Sequence, residues 1–208
     1  MKVALIIITD GRWDYLLDTM ESANNALDCD FAQKLLIDDS GFGGSTPEFD
    51  GFTTVKHVER KGLVGAIQSA WDHVDPSIDY IFHLEDDFVF LERIDVMHMI
   101  SYLEKNPRLA QMALMRQAWS PEERLAGGIY RMHPHDYTVK IGYYEHKRLF
   151  TFNPCVYPKI ITEYGAGTES ELTEQLLKME YKFAYYGQPE DQPRAFHIGI
   201  RRSIGYKV

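Results

Sequence analysis

Three consecutive carboxylates, Glu85, Asp86 and Asp87, are the residues of this sequence best suited to chemistry. They directly follow an apolar stretch, residues 80–84, whose pattern predicts a buried strand. Like charges at about 4 Å repel by roughly 4 kcal/mol at an effective dielectric constant near 20, so something must offset that repulsion. Solvent, a raised pKa, basic partners or a metal ion could do so. Oxygen ligands of this kind suit a hard divalent cation that also binds water and phosphate oxygens.

Two other apolar stretches also end at polar side chains. Residues 3–9 form a continuous apolar run that ends at Thr9, and such a run is typical of a strand covered on both faces. Residues 33–37 predict a second strand, which ends at Asp38 and Asp39. The carboxyl ends of parallel strands meet at one edge of a sheet, where ligands bind. We therefore expect most of the acidic clusters at a single cleft.

Alternating strand and helix patterns must position these residues. Apolar residues recur at helical spacing, and short strands fall between them; the predicted helices are 13–27, 63–74 and 94–105, and a further strand is 53–58. Such alternation predicts an α/β fold with a parallel sheet between two helical layers. The second half is less regular, with strand-like pieces at 137–143, 149–156 and 182–186 and a helix at 169–179. No boundary is visible, so we expect one domain over residues 1–208.

Composition excludes several classes of protein. The 208 residues carry 22 Lys and Arg against 31 Asp and Glu, and a net charge of −9 argues against a broad surface for nucleic acid. Cys29 and Cys155 form no disulfide framework and have no metal-ligand spacing. The apolar run at 3–9 is too short to span a membrane and has no cleavage-like site after it. The sequence predicts a cytoplasmic protein without a membrane segment.

Four segments stand in a characteristic order and spacing: 8–12, 37–40, 61–71 and 84–87. Together they resemble the nucleotide-sugar glycosyltransferases of the GT-A fold. The triplet resembles the DxD-type metal motif of that family, in the Glu-Asp-Asp form of the N-acetylglucosaminyltransferase I-like enzymes. The resemblance implies a Rossmann-like three-layer sandwich with a mostly parallel central sheet. It also implies a nucleotide-binding half at 1–105 and an acceptor-binding half at 106–208.

The resemblance implies a donor site as well. Asp87 would ligate the metal, while Glu85 and Asp86 would contact the ribose and the donor sugar. Asp38 or Asp39 would accept a hydrogen bond from the nucleotide base. The other residues expected near the nucleotide are Thr9, Arg12 and Lys61.

A His-x-Gly segment near the C-terminus, His197 to Gly199, is similar to one that supplies a metal ligand in this family. An imidazole together with carboxylate and phosphate oxygens favours Mn²⁺ somewhat over Mg²⁺. Arg201 and Arg202 would then bind the donor diphosphate.

An inverting transferase needs a carboxylate that deprotonates the acceptor hydroxyl. In similar enzymes this residue lies at the start of a helix in the second half, where this chain has both Glu169 and Glu171. Thr168 and Glu171 have the spacing of a capping box, which would give Glu171 a structural role. We therefore expect Glu169 to be the catalytic base.

The resulting hypothesis is a metal-dependent, inverting hexosyl- or N-acetylhexosaminyltransferase that uses a nucleoside-diphosphate sugar, with UDP-sugar favoured. A nucleotidyltransferase is less well supported, because the first strand is followed by a single glycine, Gly11. An Asp-x-Asp phosphohydrolase is excluded, because Arg12 stands where the second Asp would be. A silent nucleotide-sugar-binding module remains an alternative. The acceptor, whether a glycan, a protein, a small molecule or a modified nucleic acid, stays open, as does the oligomeric state.

Overall fold

The structure is a computed structural model that describes residues 1–41, 45–152 and 154–199. The strands within these ranges are β1 (Val3–Thr9), β2 (Leu27–Asp28), β3 (Gln33–Asp38), β4 (Thr53–Lys56), β5 (Tyr80–Glu85), β6 (Phe88–Phe90), β7 (Ile94–Asp95), β8 (Leu109–Leu114), β9 (Tyr137–Lys140), β10 (Tyr143–His146), β11 (Cys155–Pro158), β12 (Lys182–Tyr186) and β13 (Ala195–His197). The α-helices are α1 (Trp13–Ala26), α2 (Gly62–Asp72), α3 (Val96–Lys105), α4 (Pro121–Ala126), α5 (Ile129–Met132) and α6 (Glu169–Lys178).

A central sheet organises the molecule. In the described part of the chain it has nine strands, in the order β4-β3-β1-β5-β11-β8-β12-β10-β9. Strands β4, β3, β1 and β5 are parallel to one another, as are β8 and β12. Strand β11 runs antiparallel between β5 and β8, and β9 and β10 form an antiparallel hairpin at one edge. The predicted α/β fold with a mostly parallel sheet is confirmed.

Two apolar clusters, one on each face of the sheet, form the core. One face packs against α1 and α3, and the opposite face packs against α2 and α6. Alternate residues of β1 enter the two clusters, so that Leu5 and Ile7 lie on one face and Ile6 and Ile8 on the other. Burial on both faces explains why this strand is a continuous apolar run.

Several elements differ from the sequence-based predictions. Strand β8 was not predicted, although all six of its residues are buried. Helix α3 begins at Val96 rather than at residue 94, because the Asp95 side chain accepts a hydrogen bond from the His98 N–H at 2.8 Å and caps the helix. The segment 137–143 is divided between β9 and β10, and Gly142 in the turn between them has a φ of +84°. Strand β11 covers only the end of the predicted segment 149–156 and continues to Pro158.

A small antiparallel ribbon positions the candidate site. Strand β6 begins immediately after Asp87 and pairs with β13, near the end of the described chain. In this register His197 lies opposite Phe88, beside the acidic triplet. Within the described ranges, no helix combines the length and apolar character needed to cross a bilayer.

Candidate active site

The acidic triplet lies where β5 ends and the chain turns into β6. The Asp86 carboxylate is 1% exposed and accepts a hydrogen bond from the Thr9 hydroxyl at 2.6 Å. The Thr19 hydroxyl donates to the Asp86 carbonyl oxygen at 2.7 Å, which fixes the backbone of the turn. Burial raises the pKa of Asp86 to about 7, although the charge of Arg12 and the hydrogen bond from Thr9 oppose the increase. Thr9 and Asp86 therefore form the buried base of the site.

Arg12, just before α1, bridges three carboxylates. Its Nη1 lies 2.6 Å from Asp87 Oδ2, its Nη2 donates to Asp86, and its Nε donates to Asp10 Oδ1 at 2.9 Å. Burial disfavours the charged guanidinium, but Asp86, Asp87 and Asp10 together raise the pKa of Arg12 above its ordinary value. One permanent cation thus compensates part of the charge of three acidic groups.

Asp87 and His197 form the second contact of this cluster. His197 Nε2 lies 3.2 Å from Asp87 Oδ2, and the Asp87 side chain is 4% exposed. Burial would raise the pKa of Asp87, but the hydrogen bond from His197 and the charges of Arg12 and His197 outweigh burial and lower it. Asp87 Oδ1 is buried without a hydrogen-bond partner among the described residues. A buried carboxylate oxygen in that state is favourable for a bound cation.

Hydrogen bonds and ring contacts position His197. The Gln117 side chain accepts from the His197 N–H at 3.0 Å and donates to its carbonyl oxygen at 2.9 Å. The centres of the Phe88 and Trp119 rings lie 5.0 Å and 4.7 Å from the imidazole centre, both in edge contact. The contact between Asp87 and His197 thus depends on side chains, Gln117 and Trp119, from a part of the sequence that carries no recognisable motif.

Gly199 lies against the same pair. A Cβ on Gly199 would approach Asp87 Oδ2 to 2.2 Å and His197 Cε1 to 2.9 Å. The Ile198 N–H donates to the Asp87 carbonyl oxygen at 2.8 Å, so the backbone of this segment runs directly over the triplet. The glycine of the His-x-Gly segment is required by this close approach.

Glu169 is the first residue of helix α6. Its Oε1 accepts hydrogen bonds from the Thr151 hydroxyl at 2.8 Å and from the Phe152 N–H at 2.7 Å. Thr168 and Glu171 form the predicted capping box, with the Thr168 N–H donating to Glu171 Oε2 at 2.8 Å. Glu171 therefore caps the N-terminus of α6, whereas Glu169 contacts Thr151 and Phe152 and takes no part in the capping box.

Glu85 and Glu169 line the same cleft, which has a volume of about 390 Å³. His197 is part of its wall, and both glutamates also line a neighbouring hollow beside Lys61. Burial, with the charges of Asp87 and Glu169 adding to it, raises the pKa of Glu85 well above its usual range. A perturbed carboxyl group in a cleft is typical of functional sites.

The far wall of the cleft comes from the second half of the chain. Trp119 is 52% exposed there, its backbone N–H donates to Glu123 Oε2 at 2.8 Å, and the Arg116 guanidinium lies 5.2 Å from its ring centre. Arg148 and Tyr185 complete this wall. An aromatic face next to ionic groups is suited to a ligand that has both hydroxyl groups and apolar faces.

The two remaining acids, Asp38 and Asp39, have separate surroundings. Asp39 accepts hydrogen bonds from the Lys61 and Gly62 N–H groups at 2.7 and 2.9 Å, and from His57 Nδ1 at 2.7 Å. It therefore caps the N-terminus of α2. Asp38 is fully buried, accepts from the Ser40 N–H at 2.9 Å and from the Thr46 hydroxyl, and lies 3.8 Å from Lys56 Nζ.

The structure brings together most of the residues that the sequence predicted for the site. The residues clustered around the cleft and the acidic turn are Thr9, Arg12, Glu85, Asp86, Asp87, Glu169 and His197. Lys61 is exposed in the neighbouring hollow. Arg201 and Arg202 lie outside the described residues.

Comparison with models of known protein families finds no match, and comparison with curated proteins finds none either. Solved structures do match. GalNAc-T7 with UDP, GalNAc and Mn²⁺ has a TM-score of 0.68 at 12% identity, covering 100% of this chain and 45% of that one. The mannosyltransferase PcManGT from Pyrobaculum calidifontis, in complex with GDP-Man and Mn²⁺, has a TM-score of 0.62 at 13% identity, covering 91% and 55%.

The chain therefore spans about half the length of these two glycosyltransferases. At such low identity the likeness concerns the fold, and the fold is that of the GT-A glycosyltransferases, as the four sequence segments predicted.

Proposed function

We propose that this protein transfers a sugar from a nucleoside-diphosphate sugar to an acceptor hydroxyl, in a metal-dependent reaction that inverts the anomeric centre. UDP-sugar is the favoured donor, and the hexosyl- or N-acetylhexosaminyltransferases are the favoured class. The observation that carries the proposal is the pairing of Asp87 with His197 beside a buried carboxylate oxygen that accepts no hydrogen bond from the described residues. The nucleotide sugar or nucleotide and Mn²⁺ in the two structural neighbours support it.

The residues present fit a divalent cation. Adjacent ligands of an octahedral ion with bonds of about 2.1 Å are about 3 Å apart. The 3.2 Å between His197 Nε2 and Asp87 Oδ2 is close to that separation. The described residues contain no group of three or more His, Cys, Asp or Glu side chains that could hold a metal. Asp87 and His197 would therefore supply two ligands, and donor phosphates and water would supply the others, with Mn²⁺ somewhat preferred to Mg²⁺.

When bound, such an ion supplies Lewis-acid stabilisation of the departing diphosphate. The chain holds the donor around it. We assign Glu85 to the donor sugar, because it lines the cleft between the acidic turn and Glu169. We assign Asp86 to holding Arg12 in place, because its carboxylate is buried against Thr9 and Arg12. Lys61, with Arg201 and Arg202, would contact the diphosphate.

Of the two acids left open for the nucleotide base, we favour Asp38. The Asp39 carboxylate is used by the N-terminus of α2 and by His57. Asp38 instead contacts Thr46 and Lys56, which line a surface hollow next to the end of β3. A base held in this hollow would contact Thr46 and Lys56, the two side chains that also contact Asp38.

Glu169 would take the proton of the acceptor hydroxyl. The two hydrogen bonds to Oε1 orient the carboxylate, and Oε2 accepts none from the described residues. An acceptor resting on the wall formed by Trp119 and Tyr185 would lie in the same cleft as Glu169 and Glu85. General base catalysis by such a group requires this proximity.

Calorimetry with a panel of nucleoside diphosphates, each with and without Mn²⁺, tests the proposal. We expect UDP to bind in the presence of Mn²⁺ and only weakly after chelation. Two protein ligands hold the ion incompletely, so the diphosphate would supply the remaining ligands and bind through the ion. Slow hydrolysis of the matching UDP-sugar without acceptor should follow. Absence of binding for every nucleotide in the panel would refute the proposed function.

A Gly199→Ala variant should bind Mn²⁺ in the presence of UDP at least about ten-fold more weakly, a change of about 1.4 kcal/mol. The new Cβ would lie 2.2 Å from Asp87 Oδ2, so Asp87 and His197 must separate. Overpacking of this kind also costs about 1–3 kcal/mol of stability. Calorimetry and thermal melting measure the two effects.

The matched control is Gly167→Ala. Its Cβ would meet Glu171 at 3.3 Å, away from Asp87 and His197, so Mn²⁺ affinity should be unchanged. Equal affinity in both variants would contradict the packing described for Gly199.

A further inference from the structure

Arg12 binds the Asp87 oxygen that faces His197. Asp87 Oδ2 contacts both Arg12 Nη1 at 2.6 Å and His197 Nε2 at 3.2 Å. A cation shared by Asp87 and His197 would therefore enter a space where a guanidinium already neutralises the same carboxylate. Two positive groups cannot both approach this carboxylate closely without repelling each other.

The contacts of Arg12 explain why it occupies this place. Asp10, Asp86 and Asp87 are all nearly buried, and burying unpaired charges is unfavourable. The guanidinium is planar and carries several donors, so it binds all three carboxylates at once. Arg12 thus stabilises the buried carboxylates of the acidic turn when no other cation is bound.

The same side chain has a second possible partner. The Arg12 side chain is 14% exposed and its guanidinium lies 5.5 Å from the centre of the Tyr15 ring, at the edge of the acidic turn. Guanidinium groups bind phosphate oxygens through paired hydrogen bonds as readily as they bind carboxylates. A diphosphate placed on a cation at Asp87 would present such oxygens close to Arg12.

We propose that Arg12 is an exchangeable counter-ion, bound to Asp87 before the metal enters and transferred to the donor diphosphate once it has entered. This inference rests on the proposed function and adds a linkage to it. Metal alone must compete with Arg12 for Asp87, whereas metal with diphosphate gives Arg12 a new partner. Mn²⁺ and UDP must therefore strengthen each other's binding, reciprocally and through Arg12.

The test compares Mn²⁺ affinity with and without saturating UDP, measured by calorimetry and by the electron paramagnetic resonance signal of free Mn²⁺. In the unmodified protein, UDP should raise Mn²⁺ affinity by about ten-fold or more, within the usual range of coupling. In Arg12→Gln, Mn²⁺ alone should bind several-fold more tightly than to the unmodified protein. The additional effect of UDP should shrink to about two-fold or less.

Arg108→Gln is the matched control, because Arg108 donates to the Met179 carbonyl oxygen at 3.0 Å and lies 3.8 Å from Glu180, away from the acidic turn and the cleft wall. It removes the same charge and should leave the coupling intact. Thermal melting adds a second readout. Mn²⁺ alone should stabilise Arg12→Gln more than the unmodified protein, since a ligand that binds the native state more tightly stabilises it more.

If Arg12→Gln does not fold, Arg12→Lys takes its place. It keeps the charge but cannot bridge three carboxylates, so Mn²⁺ alone should still bind it more tightly than the unmodified protein. Unchanged or weaker Mn²⁺ binding in these variants, with coupling retained, overturns the inference and leaves the proposed function standing. Failure of the unmodified protein to bind Mn²⁺ with UDP overturns both.

Discussion

An Asp87→Asn variant is expected to lose Mn²⁺-dependent binding of UDP by at least about 100-fold, since even an outer partner of a metal ligand contributes about 10- to 100-fold. The amide has the size of the carboxylate but lacks its charge and one of its two oxygens. His197 would lose its acidic neighbour at 3.2 Å, and Arg12 would lose one of its three carboxylates. Titration calorimetry with Mn²⁺ and UDP measures the change.

Asp86→Asn is the control for that result. It removes a carboxylate from the adjacent residue, which contacts Thr9 and Arg12 rather than His197. At pH 8, above the raised Asp86 pKa of about 7, the two substitutions remove the same charge. We expect Mn²⁺ and UDP to bind this variant within about ten-fold of the unmodified protein, as for an outer partner. Equal losses in the two variants would show that charge alone, rather than ligation by Asp87, accounts for binding.

A Glu169→Gln variant should lose sugar transfer by about 10²- to 10⁴-fold, the usual contribution of a general base. The amide can keep the hydrogen bonds from Thr151 and Phe152 through its oxygen, so the side chain stays in place. It cannot accept a proton from an acceptor hydroxyl. Donor binding should be unchanged, because the Glu169 carboxylate is held by Thr151 and Phe152 rather than by Asp87 or His197.

The two effects are separated on the same preparation. Product formation is measured with a UDP-sugar selected in a screen of UDP-sugars, and UDP binding is measured by calorimetry. Glu171→Gln is the control, because Glu171 lies two residues after Glu169 in the first turn of α6. Glutamine also completes a capping box with Thr168, so this variant should keep both transfer and binding. Transfer retained in Glu169→Gln, or lost equally in both variants, would remove Glu169 from the role of base.

Local patterns account for the parts of the molecule that the sequence predicted well. Residues 3–8 are apolar throughout because both faces of β1 are covered, and the predicted strand 3–9 has the same bounds as β1 in the structure. The spacing of Thr168 and Glu171 specifies a capping box from four consecutive residues. The sequence alone indicated that the acidic triplet is a candidate functional site, because three adjacent carboxylates after a buried strand repel one another in any fold.

The parts that were missed depend on contacts between distant segments. Gln117 holds the backbone of His197 across 80 residues of sequence, and neither residue carries a local signal of that pairing. Strand β8 is buried on both faces between β11 and β12, so its short mixed sequence shows no alternation. Arg12 was expected near a nucleotide, whereas its partnership with Asp86 and Asp87 needs β1 and β5 to be neighbours.

The ribbon of β6 and β13 brings His197 next to Asp87, so local opening of this ribbon would separate the two residues. Asp87 belongs to the turn that follows a strand of the large sheet, whereas His197 ends a strand of three residues. That strand pairs with another strand of three and has one further bridge, from Ala195 to Arg116. Short, two-stranded pairings open more readily than a packed core. Asp87 and His197 can thus separate while the sheet stays folded. A ligand that bridges Asp87 and His197 would bind only when β6 and β13 are paired and would stabilise that pairing. Pairing of the ribbon and binding of the ligand would then be coupled in a single equilibrium.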